Sequence, residues 1–190
     1  MNARGNPDFS GLQRGLHWLM AVAIVAMLFI GIGMVSTITR AHMTLLGIHQ
    51  PLGLAILALA LLRLIVRLVQ GTPALPADLP APMALAARAS HWVLYALMFA
   101  MPLIGWGMQS AAGNPVIAGG LRLPALLRPD PVLHAVLRQA HTWLGLAFFA
   151  LILLHLAAAL FHALVRRDGV FESMAGTRAR PWKTRHDGLS

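Results

Sequence analysis

The sequence predicts an all-α integral membrane protein built as a four-helix bundle. Of its 190 residues, 58% are hydrophobic and 11% are charged, and the mean hydropathy is +0.70. A soluble domain is usually about 45–50% apolar and about 25% charged, so this composition excludes an ordinary water-soluble globule. Four long apolar stretches without an acidic or basic residue supply this excess of hydrophobic residues, and each is long enough to cross a bilayer.

Each predicted helix contains an uncharged stretch at least as long as the roughly 20 residues that a membrane-spanning helix needs. We expect the spans at about 15–37, 42–69, 86–111 and 137–165, in one transmembrane domain that covers residues 1–170. The proline-rich segment 71–82 cannot continue a helix and separates the second span from the third. A longer loop begins at Gly113-Asn114-Pro115 and precedes the fourth span, and a basic cytoplasmic tail covers 171–190.

The basic residues predict the orientation of the bundle. The loops that follow the first and third spans lie on one side of the membrane, and both termini lie on the other. Of the 15 Lys and Arg residues, four are on the side of these loops and eleven on the side of the termini. Because cytoplasmic segments carry the excess of Lys and Arg, we expect both termini in the cytoplasm. The net charge of +9 would suggest a nucleic-acid partner in a soluble protein, but the apolar spans make membrane lipid the expected partner instead. The four outer cations are Arg40, Arg122, Arg128 and Arg138.

Histidine is the residue type left for chemistry, because the sequence holds nine histidines and no cysteine. Without cysteine there are no disulfides, thiolate metal sites or cysteine-held iron–sulfur clusters. Ionisable side chains inside a membrane are costly, so each one there indicates a function whose partner must be found. His17, His49, His91, His141 and His155 all lie within the predicted spans.

Four of these histidines form two pairs matched in depth. His141 and His155 are separated by close to four helical turns, so both point the same way from the fourth helix, about 21 Å apart. His17 lies at the inner level and can face His155, whereas His49 lies at the outer level and can face His141. Two pairs of neutral imidazoles match the need of two haems for two axial nitrogens each. The alternatives are helix-to-helix hydrogen bonds and a His-lined path for protons or a metal.

Small residues and one arginine occur at the depths of the two pairs. A porphyrin between helices needs flat walls, and glycines one turn or four turns from a histidine on the same face would provide them. The position that follows His49 by four turns is Arg63, at the inner depth, where we expect it to contact a haem propionate or an inner quinone. The glycines expected beside the haems are Gly31, Gly53 and Gly145.

Several short motifs, covering the chain from Gln13 to about Gly176, are also typical of one known family. They are Leu12-Gln13-Arg14-Gly15-Leu16-His17-Trp18-Leu19, Ile48-His49, Leu62-Arg63-Leu64, Thr72-Pro73, Tyr95, Pro102-Leu103-Ile104-Gly105, Gly113-Asn114-Pro115, His141 and His155-Leu156-Ala157-Ala158-Ala159-Leu160. Together they resemble the bacterial cytochrome b561 family, inner-membrane proteins with two haems b whose best-described activity is superoxide oxidase. The resemblance implies that His17, His49, His141 and His155 are axial ligands. It also implies electron transfer from superoxide outside to ubiquinone in the membrane.

Charge and depth predict where the two substrates bind. Superoxide is an anion, so we expect its entry at the outer cations Arg40, Arg122 and Arg138, although such residues are as often interface anchors. Ubiquinone needs two protons as well as two electrons, which favours an inner site with titratable groups. The residues expected there are His91, His162, Arg67 and Tyr95. An outer quinone site at Trp106, Trp143 and Asn114 is the competitor, and both inner histidines could instead bond a backbone carbonyl or a propionate.

Two other functions remain open at this point. A similar subunit with two haems could relay quinol electrons to a separate protein, although the sequence shows no obligate protein partner. A His-lined transporter for protons or metal ions would need carboxylates or broken helices at mid-depth. All six Asp and Glu residues lie outside the predicted spans, so transport is the weaker hypothesis.

Overall fold

The computed structural model describes residues 8–118 and 120–176, and four long helices dominate it. They are α1 (Gly11–Ser36), α2 (Arg40–Gln70), α3 (Ala81–Ala111) and α4 (Pro131–Phe161). A π-helical turn, His162–Arg166, extends α4, and the short helix α5 (Val170–Ala175) follows it. All four long helices are long and apolar enough to cross a membrane. The predicted fold class, a helical membrane protein with four spans, is therefore confirmed.

Local sequence signals determine where the long helices begin. Ser10 caps α1 in a capping box, in which its side chain accepts from the backbone of Gln13 and the Gln13 side chain accepts from the backbone of Ser10. Thr39 and Asp130 cap α2 and α4 with their side-chain oxygens. Gly71 ends α2 with a positive φ of 73°, a conformation that glycine adopts without strain. These caps satisfy amide groups that would otherwise lack partners.

The helices pack as two hairpins, α1 with α2 and α3 with α4. The closest backbone approaches join α1 with α2 and α3 with α4, and α2 also approaches α3. A small core lies at mid-depth, where Phe148 of α4 is buried midway between positions 141 and 155. Only 6% to 22% of the residues in each span are buried inside the protein, so most apolar side chains face outward, as in a lipid-exposed bundle. The other buried residues of the core are Met20, Ile24, Ile56, Ala60, Tyr95, Leu97 and Met98.

The loop before α4 contains a β-hairpin that the sequence did not predict. Strands β1 (Val116–Ala118) and β2 (Leu121–Leu123) pair antiparallel, with Ile117 opposite Arg122. The hairpin lies against α2, where the Ile117 amide donates to Gln50 Oε1 at 3.5 Å, and Trp106 Nε1 donates to the Pro124 carbonyl at 3.0 Å. Strands of three residues are too short for alternation of polar and apolar residues to reveal them.

The end of the bundle where α1 begins and α5 lies is tied together by hydrogen bonds. Gln13 Nε2 donates to the Gly71 carbonyl at 2.8 Å, which joins the start of α1 to the end of α2. Trp18 Nε1 donates to the Met174 carbonyl at 3.3 Å, which joins α1 to α5. Part of the segment expected to be a basic tail is therefore helical and bonded to the bundle, and residues 177–190 of that expected tail lie outside the described residues.

Candidate functional site

Two histidine pairs lie between α4 and the α1–α2 hairpin. At the inner level, the rings of His17 and His155 have centres 6.4 Å apart and planes inclined by 65°. At the outer level, the rings of His49 and His141 have centres 6.2 Å apart, also inclined by 65°. One helix, α4, thus supplies one member of each pair, because its two histidines point the same way from two depths.

The geometry and chemistry of each pair fit a haem with two axial imidazoles. A metal–imidazole bond is about 2 Å long, so two imidazoles on opposite sides of one metal ion have ring centres roughly 6 Å apart. Within 8–118 and 120–176, no group of three or more His, Cys, Asp or Glu is arranged to hold a metal ion. A porphyrin supplies four nitrogens of its own, so a haem iron needs only the two that each pair offers.

Unpartnered nitrogens support the same assignment. Nδ1 of His17, His49 and His141 is buried and lacks a hydrogen-bond partner in the described part of the chain. The carbonyl of Met101 lies near the His141 ring, but outside good hydrogen-bonding geometry. A buried polar atom left unpaired costs about 1–3 kcal/mol, so these rings are poorly explained as structural hydrogen bonders.

The predicted glycines occupy different surroundings. At Gly31 an added Cβ would meet nothing within 4 Å, so this position borders open space. At Gly53 and Gly145 it would meet the flexible ends of Met27 at 3.6 Å and Met101 at 3.4 Å. Met27 lies on α1 and Met101 on α3, so the side chain nearest to each of these two glycines is a methionine of the neighbouring helix.

Gly105 of α3 was not predicted as a site residue, although it belongs to the Pro102-Leu103-Ile104-Gly105 motif. A Cβ built there would lie 3.3 Å from Cε1 of His141, closer than ordinary van der Waals contact. The missing side chain therefore leaves room for the His141 ring against α3. The signal in the sequence was a glycine at the same outer depth as His141, on a helix without a histidine at that depth.

Arginines, one tyrosine and a third histidine gather beside the inner pair. The guanidinium carbons of Arg63 and Arg67 each lie 5.6 Å from the ring centre of Tyr95, which is 5% exposed. The His91 ring lies 5.4 Å from that of His155, and its Nδ1 is hydrogen-bonded to the Ala87 carbonyl. Four of the residues predicted for the inner end are therefore close together.

His162, also predicted for the inner quinone site, has a separate set of neighbours. Its Nδ1 donates to Oδ2 of Asp168 at 2.7 Å, and Arg166 Nε donates to the same oxygen at 2.9 Å. Arg166 also reaches Asp78, in the loop between α2 and α3, at 2.8 Å. The sequence did not suggest this network, because it depends on a π-helical turn that brings Asp168 back toward His162.

The predicted outer cations are exposed and spread over three elements. Arg40 begins α2, Arg122 lies on β2, and Arg138 lies on α4. Of these, only Arg122 lines a cavity of about 150 Å³ between the hairpin and the end of α3.

Two of the three residues predicted for the competing outer quinone site line the same cavity. They are Trp106 and Asn114. Trp143, the third, is 62% exposed and is not among the residues that line it. The structure therefore does not gather that set into one site.

A four-helix membrane bundle with paired histidines at two depths defines the class of b-type membrane cytochromes. The family of prokaryotic cytochrome b561 matches residues 8–177, and the chain belongs to this family. Proteins of this family bind haem b and transfer electrons within the membrane. The chain is accordingly a multi-pass electron-transfer protein of the bacterial inner membrane.

Curated relatives cover nearly the whole chain. A protein of Yersinia pestis named probable superoxide oxidase CybB is 32% identical over 168 residues, which are 87% of this chain and 94% of that protein. Cytochrome b561 homolog 2 of Escherichia coli (strain K12) is 28% identical over 181 residues, 93% of this chain and 96% of the relative. Cytochrome b561 homolog 1 of the same strain is 28% identical over 173 residues, 90% and 98% of the two chains.

Proposed function

We propose that this protein is a superoxide:ubiquinone oxidoreductase with two haems b. The observation that carries the proposal is the presence of two equivalent histidine pairs, one at each depth of the bundle. His17 and His155 would hold the inner haem, and His49 and His141 the outer one. When bound, haem b would supply reversible one-electron transfer.

The balanced reaction determines what the two ends of the bundle must do. Two superoxide anions lose one electron each and become O₂, while one ubiquinone gains two electrons and two protons and becomes ubiquinol. The outer end must therefore attract a small anion, and the inner end must supply protons. The relative named as a probable superoxide oxidase supports this reaction over others available to membrane cytochromes.

At the outer end, exposed arginines provide the attraction for superoxide. Arg40, Arg122 and Arg138 all extend from the end of the bundle that carries the β-hairpin. A cluster of one charge sign raises the local concentration of the opposite ion, and salt weakens the effect. The larger number of basic residues at the other end, together with the positive-inside rule, supports an outward orientation of this end with both chain termini in the cytoplasm.

At the inner end, the group around Tyr95 is suited to a quinone ring. Arg63 and Arg67 supply donors for a quinone oxygen, Tyr95 supplies a hydroxyl, and His91 adjoins His155. His162 lies two turns beyond His155 on α4, toward the cytoplasm, and provides a titratable group nearer to bulk water. This arrangement favours quinone reduction at the inner end with protons taken from the cytoplasm.

Steady-state superoxide consumption by the purified protein, with and without a short-chain ubiquinone, tests the proposal. We expect superoxide to be consumed catalytically only when quinone is present, with one ubiquinol formed for each two superoxide anions. Haem content of each preparation, measured as pyridine haemochrome, provides a readout independent of activity. If superoxide were not consumed while the haems exchanged electrons with quinol and a co-purifying protein, the chain would be a relay subunit instead. A protein without haem would return the histidines to proton or metal transport.

A further inference from the structure

The end of α4 has an unusual backbone that brings a carboxylate against a histidine. The π-helical turn His162–Arg166 ends the helix, and Arg167 adopts a left-handed conformation with a φ of 51°. Gly169, with a φ of 80°, completes the reversal. Asp168 lies between these two residues, so the reversal brings its side chain back to His162.

The Asp168 side chain is largely buried and accepts hydrogen bonds from His162 and Arg166. Its side chain is 9% exposed and that of His162 is 13% exposed. Burial alone would raise the pKa of Asp168, but hydrogen bonds from Arg166 and His162 outweigh burial and hold the pKa below its ordinary value. Asp168 is therefore an ionised carboxylate at neutral pH, and it can only accept hydrogen bonds.

An ionised Asp168 determines which nitrogen of His162 carries a proton. Because the carboxylate accepts from Nδ1, the neutral ring has its hydrogen on Nδ1 and a free lone pair on Nε2. Nε2 of His162 has no hydrogen-bond partner among the bonds of the described residues. This nitrogen is thus available to take up and release a proton, in the way that a carboxylate-oriented histidine does in acid–base catalysis.

We infer that Asp168 is a positioning residue that makes His162 the point of proton uptake from the cytoplasm for quinone reduction. The inference rests on the proposed function. For each ubiquinone reduced, His162 passes a proton from Nε2 toward a quinone oxygen, takes up another from cytoplasmic water, and repeats the transfer. The two electrons come from two superoxide anions. Nδ1 keeps its hydrogen throughout, because Asp168 holds it.

The charged groups around this dyad come from three elements. Arg166, in the same π turn, donates to Asp168 and bridges to Asp78 of the loop between α2 and α3. Glu172 of α5, which packs on the turn, has a buried Oε2 without a hydrogen-bond partner in the described part of the chain. Asp78 has a side chain that is 76% exposed, and it does not contact His162. It provides the matched control, because Asp78→Asn removes the same charge from the same network.

The decisive variant is Asp168→Asn, compared with Asp78→Asn in the full-length haem protein. An amide can donate to Nδ1 and favours the opposite tautomer of the ring. We expect Asp168→Asn to lower kcat for reduction of a short-chain ubiquinone about 100-fold, with a much smaller change in KM. Haem content and superoxide-driven haem reduction without quinone stay as in the wild type, and Asp168→Glu restores part of kcat.

Three outcomes separate this inference from the proposed function. If the wild type reduced no quinone, the proposed function would fail. If the wild type reduced quinone and Asp168→Asn did so with the same kcat, the role of Asp168 alone would be overturned. If Asp168→Asn does not fold, ¹⁵N NMR of histidine-labelled wild type at alkaline pH decides the matter. A His162 ring protonated at Nδ1 supports the inference, and one protonated at Nε2 overturns it.

Discussion

The inner and outer ends of the bundle contain nearly identical histidine pairs in very different surroundings. The ring centres are 6.4 Å apart in one pair and 6.2 Å apart in the other, at the same inclination. Beside the inner pair lie two partly buried arginines stacked on a buried tyrosine and a third histidine. Beside the outer pair lie a glycine, a small hairpin and exposed arginines.

This difference indicates how one protein can serve two chemistries. In the proposed function, the histidine pairs hold the redox groups and the groups around each pair select what reacts there. Partly buried cations and proton donors would suit a neutral substrate that must gain protons, such as quinone at the inner end. Exposed cations would suit a diffusing anion that gives up an electron without exchanging protons, such as superoxide at the outer end.

The largest expected effect is the loss of one haem when a histidine of the corresponding pair is replaced. His155→Ala should remove the inner haem and leave the outer one, while His49→Ala should do the reverse, because an iron that loses one of two axial ligands is poorly held. Pyridine haemochrome then gives one haem per chain in either variant, and redox titration shows which midpoint potential is lost. His134→Ala is the control, since His134 Nδ1 is bonded to the Met108 carbonyl instead. Loss of the same haem from His17→Ala and His141→Ala would contradict the pairing.

The next effect should appear only at the inner end. Arg63 is close enough to interact electrostatically with both His17 and His155. Arg63→Gln removes a positive charge and should lower the midpoint potential of the inner haem by about 50 mV, with quinone reduction slowed as well. Arg88→Gln, which changes an exposed arginine at the same end, should leave both potentials in place. An equal shift in the midpoint potentials of both haems in Arg63→Gln would show that the two ends are not electrostatically distinct.

A smaller change should disturb only the outer end. In Gly105→Ala, the new Cβ lies 3.3 Å from the His141 ring, so the ring must shift by a few tenths of an ångström. We expect a weaker hold on the outer haem, visible as partial haem loss on dilution or warming, with the inner haem retained. Gly47→Ala is the matched control, because a Cβ at Gly47 meets nothing within 4 Å. Unchanged haem retention in Gly105→Ala would show that α3 does not position His141.

The smallest effect concerns the encounter with superoxide. Arg122→Glu should slow the second-order reaction with superoxide about threefold at low ionic strength, and high salt should remove the difference. Pulse radiolysis or stopped-flow measurement of haem reduction gives the rate constant. Arg88→Glu introduces the same charge change at the inner end and should have no effect on this rate. A rate in Arg122→Glu that stays low at high salt would indicate a structural role for Arg122 instead.

The sequence predicted the membrane fold well because its signals are long. Runs of apolar residues longer than a bilayer crossing leave little choice but a helix, and prolines and glycines separate them. The depth of each histidine follows from its place in a span, so the proximity of His17 to His155 could be anticipated. That these rings bind haem iron stays a prediction for experiment.

Other parts of the site depend on short or local features that carry no periodic signal. The hairpin Val116–Leu123 consists of two strands of three residues, and its contact with Gln50 depends on the packing of the whole bundle. The contact between Asp168 and His162 depends on one π turn and two left-handed residues. Gly105 could be identified only once α3 was placed against His141. Features of this kind arise from tertiary packing, which overrides local preferences.

The central claim is that each of two histidine pairs holds one haem b, and haem quantification tests it most directly. A reduced-minus-oxidised visible spectrum and pyridine haemochrome assay of the purified full-length protein should give two haems b per chain. Redox titration should resolve two potentials, because the surroundings of the pairs differ. A stoichiometry of one haem, or a colourless protein that cannot be reconstituted with haem, would contradict the account.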